Sequence, residues 1–156
     1  MKRDWAAITA GAALASLVAS HGWAQEIVIQ NTRGLSFGSF VAGSGGSVAV
    51  SPSGLRSAGG DVLLIRSGEG LAAEFTVSGN AEATYTIQLP GDDFVTLTGP
   101  GSDMVINNFT STPSGTGGQL SAGGSQILTV GGTLNVGFSQ TPGDYAGSFS
   151  VIVNYN

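Results

Sequence analysis

The chain has 156 residues, 26 of them glycine, with 5 basic and 10 acidic side chains, a formal net charge of −5 and no cysteine. The missing cysteines exclude a disulfide framework and a thiolate metal centre. The acidic balance argues against nucleic acid or anionic lipid as a partner, and the length suits one domain.

Residues 1–24 read as a secretory signal peptide. Lys2 and Arg3 open it, residues 6–19 are apolar but too short and too rich in alanine and glycine to span a bilayer well, and Gly22-Trp23-Ala24 supplies small residues for cleavage after Ala24. An uncleaved membrane anchor is the alternative. Removing the segment takes away the only lysine, the only histidine and both tryptophans. Residues 25–156 keep three arginines (Arg33, Arg56, Arg66) against nine carboxylates, a formal net charge of −6. No membrane span is expected in that mature chain.

Residues 25–33 form a short N-terminal extension ahead of a domain over 34–156. Within the extension Ile27 and Ile29 would face one way and Val28 the other, as in a strand. No stretch beyond it has helical period. Short apolar runs separated by Gly, Ser, Pro and Asp predict an all-β sandwich or barrel with many turns. Strands are expected over 26–30, 35–41, 47–51, 61–66, 72–78, 84–89, 94–98, 104–109, 126–130, 133–138 and 147–155. Turns are expected at 43–46, 51–54 and 90–93, a tight hairpin at Gly131-Gly132, and a flexible loop over 111–118. Several strands alternate cleanly: Phe75 and Val77 oppose Glu74 and Thr76, and Tyr85, Ile87 and Leu89 oppose Thr84, Thr86 and Gln88.

Catalytic chemistry has little to work with. Without His, Cys or Lys no group is placed to activate a serine nucleophile. Asp92, Asp93, Asp103 and Asp144 are the remaining candidates for paired-carboxylate hydrolysis or Ca²⁺ binding. Asp92-Asp93 follows Pro90-Gly91, which a solvated turn explains, and no EF-hand loop is present. The glycine-rich stretches 43–46 and 115–118 precede no helix and carry no P-loop lysine. Asn108-Phe109-Thr110 fits a glycosylation sequon, which the bacterial style of the signal peptide makes a chance match. The sequence therefore points away from an enzyme and names no cofactor or metal.

The last strand is the informative feature. Phe149, Val151, Val153 and Tyr155 alternate with Ser150, Ile152 and Asn154, and only Asn156 follows. A core strand at the chain end leaves a row of backbone groups for some other strand to pair. With Gly143, the segment 143–156 resembles the C-terminus of pilins assembled by the chaperone–usher route: a glycine about fourteen residues from the end, an alternating final strand and a penultimate tyrosine. The resemblance implies an immunoglobulin-like (pilin-like) β-sandwich that is incomplete and completed by a donor strand, another subunit's N-terminal extension. Carried over, Gly143, Phe149, Val151, Val153 and Tyr155 border the acceptor groove, and Ile27, Val28 and Ile29 belong to the donor strand. The implied partners are identical subunits in a homopolymer, with a periplasmic chaperone and an outer-membrane usher, and the implied place is the cell surface. The absent disulfide and the short extension depart from that pattern.

The stretches 35–38, 45–50, 84–90, 130–136 and 153–156 are similar to a family of small secreted proteobacterial proteins known as a domain of unknown function. The expectation is thus a structural subunit of an extracellular fibre, built head-to-tail. The alternative is a self-contained secreted sandwich, closed by its own 26–30 segment, that binds carbohydrate or a surface partner.

Overall fold

A computed structural model describes residues 24–156; the expected signal peptide lies outside the described residues except for Ala24. The described chain is all-β. The strands are β1 (Val28–Arg33), β2 (Phe40–Val41), β3 (Gly46–Val50), β4 (Arg56–Gly60), β5 (Leu63–Leu64), β6 (Ala73–Ser78), β7 (Thr84–Gln88), β8 (Val95–Leu97), β9 (Met104–Thr112), β10 (Gly118–Gln119), β11 (Ser125–Val136) and β12 (Ile152–Tyr155).

β11 organises the larger sheet. Its first half pairs with β6, its second half with β3, and β9 runs along its other side. β1 extends the sheet beyond β6, β4 beyond β3, and β8 beyond β9, giving seven strands. A second sheet has the order β10-β7-β12, and β2 and β5 form a separate small pair. All pairings are antiparallel.

Alternation in sequence becomes two apolar cores. Phe75, Val77, Leu128 and Val130 of the large sheet meet Tyr85, Ile87, Val151 and Val153 of the small one. Val48, Val50, Ile106, Leu134 and Val136 form the second core with Phe37, Val62, Val95 and Met104. Leu35, Phe109 and Phe149 pack against both. Tyr85 is wholly buried, and its hydroxyl donates to Gln126 Oε1 at 2.7 Å, so the polar tip is satisfied. Thr84, Thr86 and Gln88 face solvent, as the period-two pattern requires.

The structure corrects several expectations. Gly131-Gly132 is not a hairpin: β11 runs straight through it. A Cβ at Gly131 would collide with the backbone of Val50 and Ser51, so glycine here lets β3 approach closely, and the β9 register shifts at the same point. β4, with the sequence RSAGG, has no apolar alternation and was not foreseen; backbone pairing to β3 holds it. The strand expected over 61–66 shortens to β5, and that over 35–41 to β2 with a lone bridge between Ser36 and Leu71. The loop expected over 111–118 narrows between β9 and β10. In the last segment only Ile152–Tyr155 pairs as strand, although Val151 and Val153 are buried and Ile152 is exposed as the alternation requires.

Candidate functional site

Two segments without regular pairing to each other face one another over the second core. One wall is the chain from Gly34 to Gly43, fixed from behind by the Ser36–Leu71 bridge and by β5. The other wall runs from Ser139 to Phe149, fixed from behind by the bridge between Thr98 and Ala146. At one end Ser139 N–H donates to the Gly43 carbonyl at 3.3 Å. Among the described residues no strand pairing joins the walls along the rest of their length.

The groove between them encloses about 1080 Å³. Its floor includes Phe75, Val95, Leu97, Met104, Ile106 and Leu134, which belong to the sheet beneath. Small-molecule clefts occupy about 300–1,000 Å³, so this space lies at the upper limit for a compact ligand. Asp144 is the single charged side chain on its lining. An apolar trough flanked by backbone walls accepts an extended chain better than it accepts an ion.

Particular residues hold the walls. Arg56 donates from Nη1 to the carbonyls of Phe37 and Ser39, both at 3.1 Å, and from Nη2 to the Ile65 carbonyl at 2.8 Å. One guanidinium thereby fastens the first wall to β4 and the turn after β5. Gly38 has φ +69°, and a Cβ there would strike the Gly68 carbonyl and the Arg56 guanidinium. On the second wall the Tyr145 hydroxyl donates to the Thr141 carbonyl at 2.8 Å and accepts from Gln140 Nε2 at 3.0 Å. Phe149 packs edge-on against Phe75 at 6.3 Å between ring centroids and against Phe109 at 5.1 Å.

The residues expected to border an acceptor groove separate into two places. Gly143 and Phe149 line the trough. Val151 and Val153 are buried in the first core, below an edge of β12; among the described residues β12 pairs with β7 alone, and that edge has no strand partner. Tyr155 closes the far end of that edge. Its hydroxyl donates to the Gln25 carbonyl at 2.8 Å and accepts from the Asn80 N–H at 2.7 Å.

The residues expected in a donor strand lie within their own fold. Val28 and Ile29 open β1, which pairs with β6 in the register Val28↔Ser78, Ile29↔Val77 and Gln30↔Thr76. Ile27 and Ile29 pack against the first core and Val28 is 53% exposed, in the alternation read from the sequence. Gln25 N–H donates to Asn80 Oδ1 at 3.0 Å, and Arg33 meets Glu74 at 3.4 Å. The Gln25–Asn80–Tyr155 arrangement was not foreseen, since partners 55 and 130 residues apart leave no local signal.

Asp92, Asp93 and Asp61 have structural occupations. Asp92 Oδ1 accepts from the Asn108 N–H at 2.8 Å, and Asp93 exchanges hydrogen bonds with Asn107 across the turn. Asp93 and Asn108 both have positive φ, which Asp and Asn tolerate better than most residues. Asp61 accepts from the Ser44 hydroxyl at 2.8 Å and from its N–H at 3.1 Å, and these bonds hold its carboxyl below the ordinary value of 3.8. Among the described residues no group of three or more His, Cys, Asp or Glu is placed to hold a metal, and no helix is long and apolar enough to cross a membrane.

A family model described as a domain of unknown function (DUF4402) matches residues 27–155. No curated protein and no solved structure matches the chain.

Proposed function

We propose that this chain, which belongs to the DUF4402 family, is a structural subunit of an extracellular fibre whose copies join by β-strand addition. The observation that carries the reading is the edge of β12 that, among the described residues, has no strand partner, in a chain segment whose earlier part, with Gly143 and Phe149, lines the apolar trough. An inserted strand satisfies backbone groups along that edge, which is the physics of strand complementation. In this reading the fold is an immunoglobulin-like sandwich lacking one strand. The donor is the segment containing Ile27, Val28 and Ile29 from a neighbouring copy, released from its own β6. Contacts of that kind are head-to-tail and do not close, so they propagate as a filament. Export through the periplasm, with a chaperone covering the edge and an outer-membrane usher ordering assembly, belongs to the same proposal.

The test is direct. Exported, purified protein should migrate as an SDS-resistant ladder, and deletion of residues 25–32 should abolish the ladder. A ladder that persists without residues 25–32 removes them as donor.

The pairing of β1 with β6 in one molecule favours a second reading, a self-contained secreted sandwich that binds carbohydrate or a surface partner. It predicts a monomer at high concentration and a positive signal on a glycan array.

A further inference from the structure

The fibre reading leaves one question about the donor: what keeps it at home. β1 is an edge strand with one neighbour, β6. Its residues are exposed apart from the half-buried Ile29, and only Ile27 and Ile29 of this segment contact the core. Just past it, a Cβ at Gly34 would meet nothing within 4 Å, and the next fixed point is the Ser36–Leu71 bridge. Asn31, Thr32 and Arg33 bond Glu74 and Ala72 at the carboxyl-terminal half of β1. The half before them, held by the ladder to β6 and two core side chains, is therefore the part that opens first.

Its amino-terminal end is held differently. The backbone of Gln25 is gripped on both sides: its N–H donates to Asn80 Oδ1 at 3.0 Å, and its carbonyl accepts from Tyr155 Oη at 2.8 Å. The same hydroxyl accepts from the Asn80 N–H at 2.7 Å, which fixes its direction. Tyr155 itself is the end of β12, the strand whose other edge is unpaired. A single hydroxyl therefore ties the donor segment to the acceptor edge of the same molecule.

Resting on the strand-exchange reading, we infer that Asn80 and Tyr155 form a binding site for the main chain of residue 25 and act as a latch that holds β1 on its own subunit until assembly. The ligand of this site is the main chain at the start of the extended strand: Asn80 Oδ1 accepts from the nitrogen of residue 25, which is the α-ammonium once cleavage after Ala24 has occurred, and Tyr155 donates to its carbonyl. Opening the latch frees both parties at once. The amino-terminal end of β1 can then peel from β6 toward a neighbour, and the end of β12 becomes available to receive one. The latch thus sets the rate at which monomers enter the fibre, because β1 cannot be in two places.

The experiment compares assembly rates of four full-length exported chains by light scattering and SDS-resistant ladder formation. Tyr155→Phe and Asn80→Ala each remove one side of the grip, and each should assemble severalfold faster than the unaltered chain. The double variant Gln30→Cys, Thr76→Cys places a disulfide across register partners of β1 and β6 in a chain with no other cysteine. Opposite residues in an antiparallel pair lie about 4.5–5.5 Å apart at Cα, within disulfide reach. Oxidised, it should stay monomeric; reduced, it should assemble at the unaltered rate. Unchanged rates in both single variants would overturn the latch while leaving the fibre standing; assembly of the oxidised double variant as fast as the reduced one would remove β1 as the donor and overturn the latch with it. Failure of every chain to assemble, the unaltered one included, would overturn both.

Discussion

At the scale of single residues, three side chains account for features that composition does not announce. Tyr155 makes two hydrogen bonds through one oxygen, so Tyr155→Phe forfeits both and leaves the rest of the ring in place. A loss of about 1–3 kcal/mol is expected, read as a lower denaturation midpoint with unchanged slope. Arg56 serves three carbonyls, and Arg56→Gln should cost about 2 kcal/mol, within the range for hydrogen bonds to charged groups. The groove wall should loosen with it, seen as faster amide exchange over residues 36–41. Leu134 is 1% exposed at the floor of the groove, and Leu134→Ala should destabilise by about 2–5 kcal/mol in chemical denaturation.

Asp61 gives a pH signature. Its carboxyl titrates below 3.8 in the folded chain because the Ser44 hydroxyl and N–H favour the charged form. A depressed folded value stabilises above the unfolded value, and that contribution fades as pH falls from about 3.8 through the folded value. Ser44→Ala should therefore flatten the acid side of a melting-temperature profile and leave the profile above pH 5 nearly parallel to that of the unaltered chain. An unchanged acid slope would mean that the hydrogen bonds do not set this titration.

At the scale of elements, what was legible in the sequence was local. The alternation of Phe75 and Val77, of Tyr85 and Ile87, and of Val151 and Val153 marks inward faces, and each of those residues is buried. The turns at 43–46 and 51–54 carry hydrogen bonds from Gly45 N–H to Ala42 and from Gly54 N–H to Ser51. What was not legible was set by partners far along the chain. Two glycines in a row resemble a hairpin, but in β11 they mark where β3 and β9 approach too closely for a side chain. β4 is a strand because β3 pairs with it, not because its own residues prefer extension. The candidate site divides in the same way. Gly143 and Phe149, singled out in the sequence, line the trough; Arg56 and Asn80 carried no local signal, because their contacts depend on chain segments brought together only by folding. Gly118 gives an element-level prediction. Its Cα faces Tyr85 across the β10–β7 pair, and a Cβ would enter that ring. Gly118→Val should dislodge Tyr85 and detach β10, lowering the melting temperature and weakening near-ultraviolet circular dichroism.

At the scale of the whole molecule, the described chain is closed on one side and open on another. β1 covers the edge of β6, and among the described residues no strand pairs with the outer edge of β12, which β1 flanks without pairing and where Tyr155 meets Gln25. Native sheets rarely leave a strand edge without a partner, because it recruits other strands. The chain's scarcity of charged side chains sharpens the point, since lysines that commonly blunt such edges are absent from residues 25–156. In the proposed fibre, recruitment of another copy would turn that edge from a hazard into a joint.

Negative-stain electron microscopy of the exported, purified chain across a concentration series tests that joint most directly. Unbranched filaments one subunit wide, lost on deletion of residues 25–32, are the predicted result. A field of separate single-subunit particles at every concentration would contradict it.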